Sequence, residues 1–192
     1  MLVAIGIVSV LALSLFNEDD TGRTEVPQNS YDFYIADFEK NILEDPEYLE
    51  LNRYISYKEG ATTTTITDGD YEYYGPVVAF FAEYIDSVIR ADVDRYNSFF
   101  APEYIKKNGK KDVFTMQQLY NIGLEYLGSD HITVDGASHV SHTVALEYMI
   151  RQNNGSFRND MGSDATRTQI ITLVERGADL QIYSVTTYAI AN

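Results

Sequence analysis

Three histidines, two oxygen-rich stretches and one lysine run are the residues whose types and spacing could do chemistry. His139 and His142 stand three positions apart with His131 nearby, and imidazole nitrogens are ligands for Zn²⁺ and similar ions. On a strand, residues three apart face opposite sides, so this pair converges only if a turn intervenes near Ser141. The reading is exposed loop histidines and no metal site. Residues 68–72 (Asp-Gly-Asp-Tyr-Glu) and 153–160 (Asn-Asn-Gly-Ser-Phe-Arg-Asn-Asp) offer oxygens suited to Ca²⁺. Neither follows the EF-hand order, which needs glycine sixth and glutamate twelfth, so both read as turns. Asn154-Gly155-Ser156 matches a glycosylation sequon. Residues 106–111 (Lys-Lys-Asn-Gly-Lys-Lys) hold four of the 14 basic residues and read as a solvated loop that could also meet an acidic partner. There is no glycine-rich phosphate loop, Gly-x-Ser-x-Gly elbow or His-Glu-x-x-His pair, which removes the commonest nucleotide, hydrolase and zinc-protease readings. No cofactor is expected.

The 192 residues suffice for one core plus appendages. Acids outnumber bases 29 to 14, for a net charge of −15, which a phosphate backbone repels, so nucleic acid is excluded as a partner. The excess is concentrated in residues 17–75, where 15 acids face 4 bases. With no cysteine, disulfides, thiolate metal sites and thiol catalysis are impossible.

Residues 1–16 carry no charge, and ten of them are Leu, Ile, Val or Phe, each worth roughly −0.3 to −0.6 kcal/mol on insertion into a membrane. As a helix they span about 24 Å against a hydrocarbon core of about 30 Å. The reading is a single-pass transmembrane anchor at the cell membrane with the C-terminal domain outside the cytoplasm. A cleaved signal peptide and a buried core helix stay open as rivals, since no basic residue precedes the stretch.

Residues 17–30 are polar and acidic and read as a tether. Tyr31, Tyr34, Ile35, Phe38 and Ile42 follow helical spacing and predict an amphipathic helix. Asp45-Pro46-Glu47 supplies a cap and a first-turn proline for a short helix. Residues 53–58 and 62–67 predict a hairpin or an extended strap. Gly75-Pro76 opens the principal helix, whose Val77, Phe81, Tyr84 and Val88 form a wide apolar stripe. The helix breaks at Ala91-Asp92, and Asp92 caps a second one, until Pro102 ends it or opens another turn. A capping-box pattern at Thr115-Met116-Gln117-Gln118 predicts another. Residues 143–152, 166–176 and 180–189 read as strands, with a fourth within 122–134 interrupted at Gly128.

The domain plan is therefore an anchor or signal segment at 1–16, an acidic juxtamembrane region at 17–75, and an α+β domain at 76–192 with helices first and a meander afterwards. The run from Arg90 to Glu103 (Arg-Ala-Asp-Val-Asp-Arg-Tyr to Phe-Phe-Ala-Pro-Glu) resembles the opening helices of the nuclear-transport-factor-two-like superfamily. Ketosteroid isomerases, SnoaL-type polyketide cyclases and many non-catalytic modules share that fold. The resemblance covers about residues 75–190. It implies a cone-shaped, cystatin-like fold with the helices in the concave face of a curved antiparallel four-stranded meander. The loop at 106–111 departs from the family pattern.

In members that are enzymes, the cone encloses a pocket where an Asp, His or Tyr works as acid or base. The resemblance would place Tyr84, Phe100, Tyr126 and Tyr148 in its lining, with Tyr96, Asp86 and Asp92 near it. Tyr84, Tyr96 and Tyr148 fall on apolar stripes, which packing explains more simply, and Asp92 reads as a cap. No catalytic residue is assigned. The expected function is a membrane-tethered, non-enzymatic module that binds a protein partner or a second copy of itself. A small-molecule binder or isomerase/dehydratase-type enzyme is the alternative.

Overall fold

The computed structural model describes residues 31–188. Two short 3-10 turns (Ile42–Glu44 and Tyr71–Tyr74) and four helices precede or punctuate six strands: α1 Pro46–Leu49, α2 Pro76–Ile89, α3 Val93–Ser98 and α4 Pro102–Asn108, with β1 Ile55–Glu59, β2 Thr62–Ile66, β3 Gln118–Val134, β4 Ala137–Arg151, β5 Gln169–Arg176 and β6 Asp179–Thr187. All six strands form one sheet in the order β2-β1-β3-β4-β5-β6. Neighbours are antiparallel except β1 and β3, which run parallel from Ile55 opposite Ile122 to Glu59 opposite Tyr126.

This overturns the four-stranded antiparallel meander. The sheet is six-stranded and mixed, because the residues read as a hairpin or strap bury Ile55 and Ile66 in the main core and so join the sheet. A parallel pair needs a long crossover between its strands. Here β2 and the helices α2 to α4 supply it, and that crossover lays the helical layer over one face.

Residues 31–75 pack in the same compact unit as the rest of the described chain, so the boundary placed at 75/76 falls inside that unit. Tyr48 on α1 is completely buried. The helix expected from Tyr31 to Ile42 is absent: residues 31–40 run without helix, and Asp37 Oδ1 accepts from the Glu39 and Lys40 amides instead. Their rings seat on glycines of a distant loop, Phe33 on Gly155 and Tyr31 on Gly162, and Tyr34 N donates to Asn153 O at 3.0 Å. Tertiary contacts outweigh the local period there.

Among the described residues no helix is long and apolar enough to cross a membrane. Residues 1–16, on which the transmembrane anchor, the signal-peptide rival and the single-pass cell-membrane location rested, lie outside the described residues, as does the 17–30 tether. The membrane-protein reading is corrected accordingly: the described fold offers it no spanning element.

The helix and its break follow from local chemistry. Val77, Phe81, Tyr84 and Val88 are buried against the sheet side of the core, which includes Leu124, Leu146 and Leu173. Ala91, at φ 55°, ends α2 with its amide donating to Val88 O at 3.2 Å and the Asp92 amide donating to Ser87 O at 2.9 Å, the paired bonds of a Schellman motif. Asp92 then accepts from Arg95 N and caps α3. The helix expected at Met116 is absent. Thr115 bonds Ser156 across the chain instead of capping, and Gln118 opens β3 opposite Arg151. Bulges at Tyr120/Gly123 and Tyr126/Gly128 carry β3 through the predicted interruption and bend the sheet.

Candidate functional site

The four residues assigned to a pocket lining occupy the packed interior. Tyr84, Phe100 and Tyr148 are buried, and Tyr126 is half-buried against the same core. Tyr84 and Phe100 ring centroids are 6.3 Å apart. Tyr96 fills the space beside them, with its ring on Phe100, Phe114 and Phe157 at 5.1 to 5.6 Å. The Tyr84 hydroxyl reaches that of Tyr96 at 3.5 Å, and the Tyr148 hydroxyl accepts from Arg158 Nη1 at 2.9 Å.

Burial pushes the Tyr84 phenol well above its ordinary value, and Tyr96 adds to the shift. In Tyr148 burial likewise raises the phenol more than Arg158 lowers it. Both remain protonated at neutral pH and are donors or packing elements, not bases. Neither acid candidate joins them: Asp86 is held by Arg90 and Arg95 at 2.8 and 2.9 Å, and Asp92 is spent as a cap.

The histidines lie on strands and not in loops: His131 on β3, His139 and His142 on β4 with no turn at Ser141. His139 donates from Nδ1 to the Glu175 carbonyl at 3.0 Å. In the tautomer protonated on Nε2, His142 donates to Glu175 Oε1 at 3.0 Å and accepts from the Tyr126 hydroxyl at Nδ1, also 3.0 Å. This Tyr126-His142-Glu175 chain crosses β3, β4 and β5. Glu175 had no sequence signal, because its partner lies 33 positions away.

Among the described residues no cluster of three His, Cys, Asp or Glu is placed to hold a metal ion. The 153–160 oxygens turn inward: Asn153 Nδ2 donates to the Arg158 and Met161 carbonyls, and Asp160 receives the Arg158 fork at 2.6 and 2.8 Å. The lysine run is divided. Lys106 and Lys107 end α4, while Lys111 is tied down by its Nζ donating to Phe157 O at 2.9 Å, and burial pushes its ammonium below the usual range.

A wide concavity lies elsewhere. An open groove of about 880 Å³ lies between residues 69–72, the outer face of α2 (Pro76, Ala79, Phe80, Glu83), α3 (Arg95, Ser98, Phe99) and the β5–β6 turn at residues 178–181. Phe80 lies off the buried stripe of α2 and meets Phe99 edge to face at 5.1 Å, which with Leu180 gives the groove apolar walls. Arg95 is held by Glu83 and Asp86. Asp70, Glu72 and Asp179 make no ion pair among the described residues, which leaves the rim acidic. Gln181 Oε1, in the wall, is buried and has no hydrogen-bond partner among them. Local sequence pattern could not find this site, since its walls come from stretches more than 100 positions apart. No protein-family model matches the chain, and neither does any curated protein.

Proposed function

We propose that the protein is a non-enzymatic binding module that takes an extended, basic segment of a partner protein in this groove. The observation that carries the reading is the pairing of apolar walls (Phe80, Phe99, Leu180) with the acids Asp70, Glu72 and Asp179, which make no ion pair among the described residues. Such a surface favours a chain that alternates apolar and cationic side chains. Packed aromatic rings where a cone pocket would open favour this reading over an enzyme. Kinship with the nuclear-transport-factor-two-like superfamily, which has many non-catalytic members, belongs to the same proposal and is supported by the Arg90-to-Glu103 run.

The test is fluorescence anisotropy of labelled dodecapeptides alternating Lys with Phe or Leu, against Glu-containing counterparts, titrated with the full chain. Binding of the basic set, weakened by salt and by Asp179→Lys or Leu180→Glu, is expected. Equal binding of the acidic set, or unchanged binding by both variants, refutes the reading.

A further inference from the structure

The two edges of the sheet are treated differently. Beside β6, residues 99–101 act as a short extra strand: Ile182 N donates to Phe99 O at 2.8 Å and Ala101 N donates to Ile182 O at 2.9 Å. That edge is covered at Ile182. At the other end β2 pairs only with β1, and among the described residues no main-chain hydrogen bond reaches it from outside. Strand edges left open are normally blunted by lysine, proline or a bulge. β2 reads Thr-Thr-Thr-Thr-Ile and pairs with β1 without a register shift, so it carries none of these guards.

A cavity of about 410 Å³ lies on one face of the β1-β2 pair, lined by Tyr57, Glu59, Thr62, Thr64 and Tyr74, with Thr62 and Thr64, opposite Glu59 and Tyr57, on the strand that forms the edge. Its walls are two tyrosine rings and one carboxylate. The Tyr57 hydroxyl donates to Glu59 Oε2 at 3.1 Å and so holds the carboxylate beside the rings. Aromatic faces with a carboxylate are the chemistry that receives an ammonium or guanidinium group. The charges around the edge agree. Lys58 is engaged by Glu125 at 2.7 Å, whereas Glu59, Asp68, Asp70 and Glu72 make no ion pair among the described residues. A second copy of the chain would bring equally acidic flanks into opposition, which charge repulsion disfavours.

We propose that the outer edge of β2 is a strand-addition site, which pairs main chain to main chain with an extended, lysine- or arginine-bearing segment of a partner protein and takes one of its cationic side chains between Tyr57, Tyr74 and Glu59. In such docking the ladder hydrogen bonds supply affinity and the side-chain cavity supplies selectivity. The inference rests on the reading of the protein as a binding module and adds a second contact to it. From Ile66 the chain passes by way of residues 67 and 68 into residues 69–72, which form one wall of the groove.

The probe is an acetylated, amidated nonapeptide alternating lysine with valine and threonine, added to the full chain and followed by anisotropy and by hydrogen exchange of the β2 amides. The matched control is the same peptide N-methylated at alternate residues, which keeps every side chain and charge but cannot extend a sheet. Slowed exchange at Thr62–Ile66, and affinity lower by about tenfold or more for the methylated peptide, the worth of one or two main-chain hydrogen bonds, is the expected result. Glu59→Lys should weaken the parent peptide further, while Leu180→Glu in the groove leaves β2 protection in place. Equal affinity of the methylated peptide, unaltered β2 exchange, or a dimer by sedimentation that competes with the peptide overturns the strand-addition site. If binding then survives but is lost in Leu180→Glu, the groove alone is the site; if Leu180→Glu is silent while β2 is protected, the groove reading is the one that fails.

Discussion

The Tyr48 hydroxyl donates to the main-chain carbonyl of Leu119 at 3.0 Å, and so fastens the acidic N-terminal region to the long strand β3. Tyr48 is fully buried, and burial pushes its phenol up to about 12, so it stays a donor throughout the physiological range. Tyr48→Phe should cost about 1 kcal/mol, the net worth of one hydrogen bond. Tyr48→Ala should cost about 3 to 5 kcal/mol. Urea midpoints check both, and an unchanged midpoint for Tyr48→Ala would show that residues 31–75 contribute nothing to the domain.

Acid should destabilise the protein partly through Asp160. Burial by itself raises this carboxyl, but the Arg158 fork and charge, with Arg167 behind them, outweigh burial and hold it below its ordinary value of 3.8. A folded-state pKa below the unfolded one means that the stabilisation is complete above the unfolded value. It is lost as pH falls through 3.8 and on through the folded value. Asp160→Asn should therefore flatten the acid limb of a Tm against pH curve in that window. At neutral pH it should cost about 3 kcal/mol by stranding the buried Arg158 charge. A variant with the wild-type acid limb would show that Asp160 is not coupled to folding.

The Tyr126-His142-Glu175 chain reads as a brace across three strands. Tyr126→Phe and Glu175→Gln should each cost about 1 kcal/mol, and because both act through one imidazole the double variant should cost less than the sum. Thermal unfolding of the four proteins closes the cycle. Strict additivity would mean that His142 does not link its two partners.

Where the determinants are local, the sequence was readable. The Pro76 start, the Ala91-Asp92 break and the Asp92 cap depend on residues within one helical turn, and each is found where those residues stand. Strands expected at 166–176 and 180–189 are met by β5 and β6 to within a few residues, and the one expected at 143–152 by β4, which starts earlier, at Ala137, because alternation survives when one face is buried. The misses share one cause: a local pattern was satisfied by a remote partner. The helical spacing from Tyr31 to Ile42 serves glycines at 155 and 162, and the Thr115 hydroxyl answers Ser156 instead of a helix amide. The site was less legible than the fold, since Tyr84, Phe100 and Tyr148, chosen for a pocket lining, are buried in the core.

By itself the sequence determined what depends on content and near neighbours: an acidic chain with no thiol chemistry, a principal apolar helix, its break, and a strand-rich C-terminal half. Only the tertiary structure decided that β1 lies parallel to β3 in a six-stranded sheet, that Phe100 bridges one edge at Ile182, and that Phe80, Phe99 and Leu180 share a groove. The physical reason is that such long-range pairings are selected by which apolar surfaces can be buried together once the loops between them close. That choice is written in no single segment.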